Sequence, residues 1–168
     1  MEYLEACKRV KAEYPEVRCL LVGPYDSNPS ALKSEELQPF IDQGIIEYFG
    51  EQTDVRPYLK QCSTYVLPSY HEGMSNVLLE GAASGIPLIA SDIPGCQEII
   101  DEGVTGFLCK PRSAKKLAEA IIEFFNLSET ERRRMGEKGR ENVIREFNRQ
   151  NVAAKYIGII RELVSIDT

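Results

Sequence analysis

Short apolar runs alternate with longer segments of helical spacing along the first two thirds of the chain. Several of these runs are continuous rather than alternating, which is typical of strands in a parallel sheet covered on both faces. The predicted strands are residues 17–23, 45–50, 63–68, 86–91 and 105–110. This order of strands and helices predicts an α/β domain with a doubly wound parallel sheet.

The segments between the strands carry helix boundary signals. The helix predicted over 55–61 follows Thr53 and Asp54, both suitable N-cap residues. The helix over 75–84 stops before Gly85, the residue type favoured just past a helix end. The other predicted helices are residues 1–14, 34–43, 97–102, 113–125, a charged helix from 128 to about 146, and an amphipathic helix over 148–164.

Composition places the chain among ordinary globular proteins. It has 168 residues, a formal net charge of −6, 43% hydrophobic residues and 27% charged residues. That length predicts one domain, and the acidic balance argues against bulk binding to nucleic acid or anionic lipid. No apolar run approaches the roughly 18 residues of a membrane span, and the first residues lack the apolar core of a signal peptide.

The five cysteines are scattered, and none falls in a C-x-x-C pair. An odd number cannot all form disulfides within the chain, and three of them lie in or beside apolar runs. We therefore expect buried, reduced thiols in a cytosolic protein.

The chemistry is concentrated in one segment, LPSYHEGMSNVLLEGAAS, which spans residues 67–84. Glu72 and Glu80 flank a turn and the start of a predicted helix, and Gly73 permits close approach of the backbone. Ser75 or Asn76 can cap that helix. The N–H groups of its first turn would point into the crevice beyond the strand, where open α/β sheets bind ligands and where phosphate is favoured.

Glu80 is unusual because it lies within VLLEGAAS, a helix that is apolar on nearly all sides. A carboxylate there needs hydrogen-bond donors, and a sugar diol such as a ribose would supply two at once. Protein donors or water at the helix edge would serve equally well. Glu72 taken alone is typical of a surface loop. Spacing and composition leave these alternatives open.

The segment HEGMSNVLLEGAASGIPLIASDIPGCQEIIDEGVTGFL is similar to the E-x7-E region of retaining GT-B glycosyltransferases, the glycosyltransferase group 1 family. The flanking stretches FGEQTDVRPYLKQCSTYVLPS and GVTGFLCKPRSAKKLAEAI resemble the same family, so the likeness covers roughly residues 20–147. Its specificity comes from the glycines at 73, 81, 85, 95 and 106, the Pro-Ser pair at 68–69, and the order of the pieces. The resemblance implies the Rossmann-like carboxyl-terminal half of a GT-B enzyme, which binds the sugar donor.

The resemblance also implies a role for each motif residue. Glu80 would bind the ribose hydroxyls, and Glu72 would be the catalytic carboxylate near the donor sugar and its reacting face. Gly95 and Glu98 would have a structural job. The remaining donor-binding positions would be the backbone at Gly73, Met74, Ser75 and Asn76 against the diphosphate and sugar, Gln52 near the base, and His71 near the sugar.

No cofactor or metal is implied, because retention in this family needs none. The donor would be a nucleotide diphosphate sugar, by default a uridine one. His71 is the only histidine, so it cannot be half of a His–His metal site, and no D-x-D motif occurs.

Three parts of the family pattern are not matched. An Arg and a Lys that clamp the diphosphate would precede Met1, and neither maps onto Lys8, Arg9 or Lys11. The amino-terminal acceptor domain is missing, and so is the first strand, which leads us to expect that an upstream segment has been removed. The helix over 148–164 resembles one that crosses back to that other domain, so we expect its apolar stripe to be partly exposed.

The missing strand would lie in the middle of the family's sheet. The strands over 17–23 and 86–91, or another flanking pair, would then face a gap. Two open central edges favour aggregation. We therefore expect either a re-paired sheet or a swapped dimer that covers them.

The full-length protein is expected to transfer a sugar to a carbohydrate or lipid-linked acceptor in polysaccharide or glycolipid assembly. It would be cytoplasmic, at the inner face of the membrane, with membrane contact only through the missing half. Two alternatives remain: a non-catalytic nucleotide-sugar-binding module, favoured for these 168 residues alone, and a GT-B sugar-nucleotide epimerase. A dinucleotide-binding dehydrogenase is disfavoured, because LVGPYDSN holds one glycine where G-x-G-x-x-G needs three.

Overall fold

The computed structural model describes residues 1–25, 28 and 31–166 of the chain. The residues outside the described ranges are Asp26, Ser27, Pro29, Ser30, Asp167 and Thr168. The strands of the described part are β1 Leu20–Leu21, β2 Glu47–Tyr48, β3 Tyr65–Leu67, β4 Leu88–Ser91 and β5 Gly106–Cys109. Its helices are α1 Glu2–Glu13, α2 Ser34–Asp42, α3 Arg56–Leu59, α4 Asn76–Ala83, α5 Ala114–Asn126, α6 Glu129–Glu146 and α7 Arg149–Ile166.

The strands form two parallel sheets rather than one. β1 pairs with β2, and a second sheet has the order β3-β4-β5. All four residues of β4 are buried, as expected of a continuous apolar run in the middle of a covered sheet. The predicted parallel α/β architecture is confirmed, and the separation into two sheets agrees with the gap expected in the middle of the sheet.

In the described part of the chain β1, β2, β3 and β5 are each paired on one side only, and no ladder joins β1 to β3. The gap therefore lies between β1 and β3, which is another of the flanking pairs that the sequence left open, and not at 86–91, since β4 is paired on both sides. The hydroxyl of Tyr3 donates a hydrogen bond to the carbonyl oxygen of Leu20 at 3.0 Å. A side chain of α1 thus satisfies one backbone group of β1.

Helices cover the three-stranded sheet on both faces. One core cluster joins α1 and α5 to β4 and β5, and a second joins α4 to the opposite side, with α6 packed against α4. Helix α1 also contributes Leu4 and Cys7 to a third cluster with β1, β2 and α2. Because α1 packs against both sheets, it connects the two halves of the fold.

The helix predicted over 97–102 is absent: residues 97–99 form turns, and Glu102 makes an isolated parallel bridge to Gly106. The backbone N–H of Asp101 donates to the side-chain oxygen of Thr105 at 2.9 Å, so it is not available for a helical bond. Gly95 and Gly103, at φ +85° and +69°, bracket the segment with left-handed backbone. These constraints end the turn before a helix can propagate.

Helix α7 exposes its apolar residues, as expected: Tyr156, Ile159, Ile160 and Leu163 are 55 to 65% exposed. The side chain of Val152, assigned to the same stripe, lies outside the described residues. Within the described ranges, no helix combines the length and apolar character needed to cross a membrane.

The cysteines agree with the sequence expectation. All five are free thiols; four are buried, and Cys62 is half-buried.

Candidate functional site

The loop after β3 and the start of α4 bring most of the predicted site residues together. Glu72 is half-buried in this loop, and the hydroxyl of Ser69 donates to its Oε1 at 2.7 Å. Burial raises the pKa of the Cys96 thiol to about 11, and the charges of Glu72 and Glu98 add to that shift. The Glu72 carboxylate therefore lies near the 93–98 loop and has a defined orientation.

Gly95 packs closely against the backbone of the loop at Glu72 and Gly73. A Cβ at this position would lie 2.3 Å from the carbonyl oxygen of Gly73 and 2.7 Å from that of Glu72. Only glycine fits such an approach, and its φ of +85° also favours glycine. The Gly95 N–H donates a short hydrogen bond to the Glu98 carboxylate. These contacts support the structural job expected for Gly95 and Glu98.

Ser75 occupies the N-cap of α4 without capping it. Its side chain makes no cap hydrogen bond, although the residue is only 1% exposed. Its Oγ is the one buried side-chain polar atom without a partner among the described residues. The serines before α5 and α6, Ser113 and Ser128, both accept the expected bond from a first-turn N–H. The first turn of α4 therefore has no side-chain cap, and the Ser75 hydroxyl next to it is buried and makes no hydrogen bond.

Glu80 is exposed, so the prediction that it is embedded in an apolar environment is wrong. The buried side of α4 is formed by Leu78, Gly81 and Ala82, and Glu80 lies on the solvent side of the same turn. Burial, followed by the charges of Glu80, Cys62 and Glu72, raises the pKa of Tyr65. The charges of Glu72 and Glu80 thus act on the same side chain of β3.

The remaining predicted residues are exposed around this loop. His71, Gly73 and Asn76 are accessible, and Met74 is 50% exposed. Gln52 follows β2 in the other sheet, where its side-chain amide donates to the carbonyl oxygen of Phe49 at 2.7 Å. The structure therefore groups residues 71–76 in one segment, whereas Gln52 lies after β2, in the other sheet.

Tyr70, Glu2 and Arg112 form a group of contacts beside the loop that the sequence did not predict. The hydroxyl of Tyr70 donates to Oε1 of Glu2 at 2.5 Å, and the guanidinium carbon of Arg112 lies 5.0 Å from the centre of the Tyr70 ring. Glu2 and Tyr70 are 68 positions apart. No local pattern in the sequence signals a contact across that distance.

A cleft of about 580 Å³ lies elsewhere, beside the segments that lead into β3 and β4. It contains no predicted site residue; its lining is Cys62, Ser63, Gly85, Ile86, Pro87, Glu129, Arg132, Arg133 and Glu137. No cluster of three or more His, Cys, Asp or Glu side chains within the described ranges could hold a metal ion.

A comparison with protein families gives this site a context. Residues 2–126 match the family described as glycosyl transferases group 1. The chain belongs to this family. A glycosyltransferase relative is "N,N'-diacetylbacillosaminyl-diphospho-undecaprenol alpha-1,3-N-acetylgalactosaminyltransferase" of Campylobacter jejuni, 38% identical over 102 residues. The match covers 61% of this chain and 26% of that protein, so the chain spans about a quarter of this glycosyltransferase.

Solved glycosyltransferase structures have the same fold. The sucrose-phosphate synthase of Thermosynechococcus elongatus superposes with a TM-score of 0.79 at 27% identity, covering 98% of this chain and 43% of that one. Anabaena Alr3699/HepE, solved in complex with UDP, has a TM-score of 0.80 at 18% identity, covering 94% and 44% of the two chains. The GT-B architecture of the domain is thereby confirmed.

Proposed function

We propose that this chain is the donor-binding half of a retaining glycosyltransferase and that it binds a nucleotide diphosphate sugar. One observation carries the proposal: the buried, unpartnered hydroxyl of Ser75 at the uncapped start of α4. Phosphate oxygens would accept hydrogen bonds from that hydroxyl and from the first-turn N–H groups. The positive end of the helix dipole favours the same negative charge.

The two carboxylates would bind the uncharged parts of the donor. Glu80, exposed on the solvent side of α4, would accept hydrogen bonds from the ribose diol. Glu72, already oriented by Ser69, would accept them from hydroxyls of the transferred sugar. Because a carboxylate accepts several hydrogen bonds, each of these residues can hold a diol without a metal ion.

Uridine is the nucleoside that we propose, and carbohydrates or lipid-linked sugars are the acceptors. The structure of Alr3699/HepE contains UDP, and the name of the Campylobacter relative specifies a diphospho-undecaprenol acceptor. By analogy, the whole protein would assemble a polysaccharide or glycolipid at the cytoplasmic face of a membrane. Contact with that membrane would come from parts beyond this chain.

Transfer would form a bond between the anomeric carbon and an acceptor hydroxyl oxygen, whose proton is released, and break the bond between that carbon and the phosphate oxygen. The electron pair of the broken bond would leave with the diphosphate. Cations beside the leaving group stabilise this charge. The charged residues that we assign to the donor, Glu72 and Glu80, are both carboxylates, and no cation is among them. We therefore propose that a further cationic and acceptor-binding part completes the enzyme, and that these 168 residues bind the donor without turning it over.

Calorimetric titration tests the proposal with UDP, ADP, GDP and a panel of UDP-sugars. For Glu80→Ala we expect affinity for the preferred nucleotide to fall by about 2 kcal/mol, because charge-assisted hydrogen bonds to the ribose are lost. Glu141→Ala, on the exposed face of α6, is the matched control and should bind as the wild type does. If Glu80→Ala bound the nucleotide as tightly as the wild type, the proposal that Glu80 binds the ribose would be contradicted.

The variant Glu72→Ala tests binding of the sugar separately from binding of the nucleotide. Binding of UDP alone should be unchanged, whereas the differences in affinity among UDP-sugars should shrink, because the carboxylate that contacts the sugar is gone. A variant that loses UDP itself while remaining folded would contradict the assigned role of Glu72.

A further inference from the structure

We propose that Tyr70 is a positioning residue for Glu72, and that Glu2 and Arg112 hold it in place. The inference rests on the proposed function, because it concerns the carboxylate assigned to the donor sugar. Besides Tyr70, the inference gives a role to two residues from distant parts of the chain. Glu2 lies at the start of α1, and Arg112 lies between β5 and α5.

Directional contacts, rather than burial, fix the Tyr70 side chain. The residue is 43% exposed. Its hydroxyl donates to the Glu2 carboxylate at 2.5 Å, which is the short distance of a charge-assisted hydrogen bond. Arg112 stacks against the ring with its guanidinium carbon 5.0 Å from the ring centre, within the range of a cation–π contact.

The backbone of Arg112 supports the same conclusion. Its φ of +58° makes it the only non-glycine residue of the described ranges with a positive φ. This left-handed conformation is unfavourable for a residue with a Cβ, and such residues cluster at functional sites, where the surroundings maintain them. In this protein the residue with the left-handed backbone is the one whose guanidinium lies over the Tyr70 ring.

The contacts of Tyr70 and those of Gly95 hold the site loop from opposite layers of the fold. Glu2 and Arg112 border α1 and α5, which share one core cluster. The 93–98 loop that carries Gly95 packs in the other cluster, with α4. Between these two anchors, Ser69 donates to Glu72. Tyr70 follows Ser69 directly, so releasing its ring would free the segment that orients the Glu72 carboxylate.

This arrangement predicts a specific loss in Tyr70→Phe, which removes only the hydroxyl. Preorganisation of a binding group improves affinity for the part of the ligand that the group contacts. The readout is the sugar increment, defined as the Kd for UDP divided by the Kd for the tightest-binding UDP-sugar. We expect the increment to fall about three- to ten-fold, while the Kd for UDP and the urea midpoint of unfolding stay unchanged.

Three further variants sharpen the test. Glu2→Gln should reproduce the loss, because it removes the charge that accepts the Tyr70 hydrogen bond. Arg112→Gly should also lower the increment, although glycine suits the left-handed backbone, because the cation over the ring is lost. Tyr14→Phe is the matched control: the Tyr14 hydroxyl donates to Oδ1 of Asn126 at 2.9 Å, at the opposite end of α1. It should leave the increment intact.

The possible failures are distinguishable. A wild-type chain that binds no nucleotide would overturn the proposed function and this inference with it. A wild-type sugar increment that survives in Tyr70→Phe would overturn this inference alone. A Tyr70→Phe variant that loses UDP affinity and stability together would show a structural role and would equally overturn it.

Discussion

At the scale of single residues, the three serine N-caps of the described structure differ in one respect. Ser113 and Ser128 accept hydrogen bonds from first-turn N–H groups, whereas the Oγ of Ser75 is buried and has no partner within the described part of the chain. An unsatisfied buried hydroxyl costs free energy, and this cost can be recovered when a ligand accepts its hydrogen bond.

Substitution of Ser75 separates ligand binding from folding. For Ser75→Ala we expect an unchanged or slightly higher free energy of unfolding, because a buried, unpaired hydroxyl is removed. The Kd for UDP should rise roughly five- to ten-fold, because one phosphate hydrogen bond is lost. Urea unfolding and calorimetry measure the two effects.

For Ser128→Ala we expect the reverse of the Ser75→Ala result: a loss of stability with no change in affinity for UDP. The substitution removes the capping box of α6 and should lower the free energy of unfolding by about 1 kcal/mol without changing the Kd. Ser75→Ala would contradict our account if it behaved in the same way, with a loss of stability and no loss of UDP affinity.

Sequence alone predicted the elements that carry the candidate residues better than it described their surroundings. The segment 67–84 predicted a loop followed by a helix starting at about Ser75, and the structure has a loop after β3 and α4 from Asn76. The exposure of Glu80 was not predicted, because it depends on which side of α4 packs against the sheet and α6. The partners of Tyr70 were missed, since Glu2 and Arg112 approach it only in the folded chain.

At the scale of elements, α6 approaches the turn between α4 and β4 through a glycine. A Cβ at Gly136 would lie 2.0 Å from the carbonyl oxygen of Gly85, whereas a Cβ at Gly139 would have no atom closer than 3.7 Å. Both glycines are buried in the same helix. The backbone contact at Gly136 therefore fixes α6 against α4, which carries the site.

These two glycines form a matched pair of substitutions. We expect Gly136→Ala to lower the free energy of unfolding by roughly 2 kcal/mol or more, because backbone atoms would have to move. Gly139→Ala should be neutral or stabilising by up to about 1 kcal/mol, because alanine has the higher helix propensity. Urea denaturation measures both, and equal effects of the two variants would contradict the close packing at Gly136.

Element types were more predictable than their extent. The apolar run over 86–91 predicted a buried strand, and β4 occupies its last four residues. The run over 17–23 predicted a longer strand than the two residues of β1, because a strand continues only where a neighbour pairs with it. The segment 97–102 failed as a helix, because the contact between Asp101 and Thr105 competes with helical hydrogen bonding.

At the scale of the whole molecule, β1 and β3 each have an edge that no ladder covers in the described part of the chain. In β3, Tyr65 donates its N–H to the carbonyl oxygen of Pro87, so the N–H of the next residue, Val66, faces the open edge. Unpaired edges of this kind favour pairing with another chain. We propose that the isolated chain self-associates through these edges.

Sedimentation velocity combined with hydrogen exchange tests this proposal. We expect a monomer–dimer equilibrium, with the peptide containing Val66 exchanging more slowly as the protein concentration rises. A control peptide from β4, whose residues are already paired on both sides, should not change. A chain that remains monomeric, or a dimer that leaves the Val66 amide unprotected, would contradict it.

The central claim is that the start of α4 binds the diphosphate of a nucleotide sugar, and an ¹H–¹⁵N NMR titration with UDP tests it most directly. We expect the largest shifts at the amides of Asn76, Val77 and Leu78, with smaller ones at Glu72 and Gly73. Largest shifts around the cleft lined by Cys62 and Arg133, or no shifts at saturating UDP, would contradict the account.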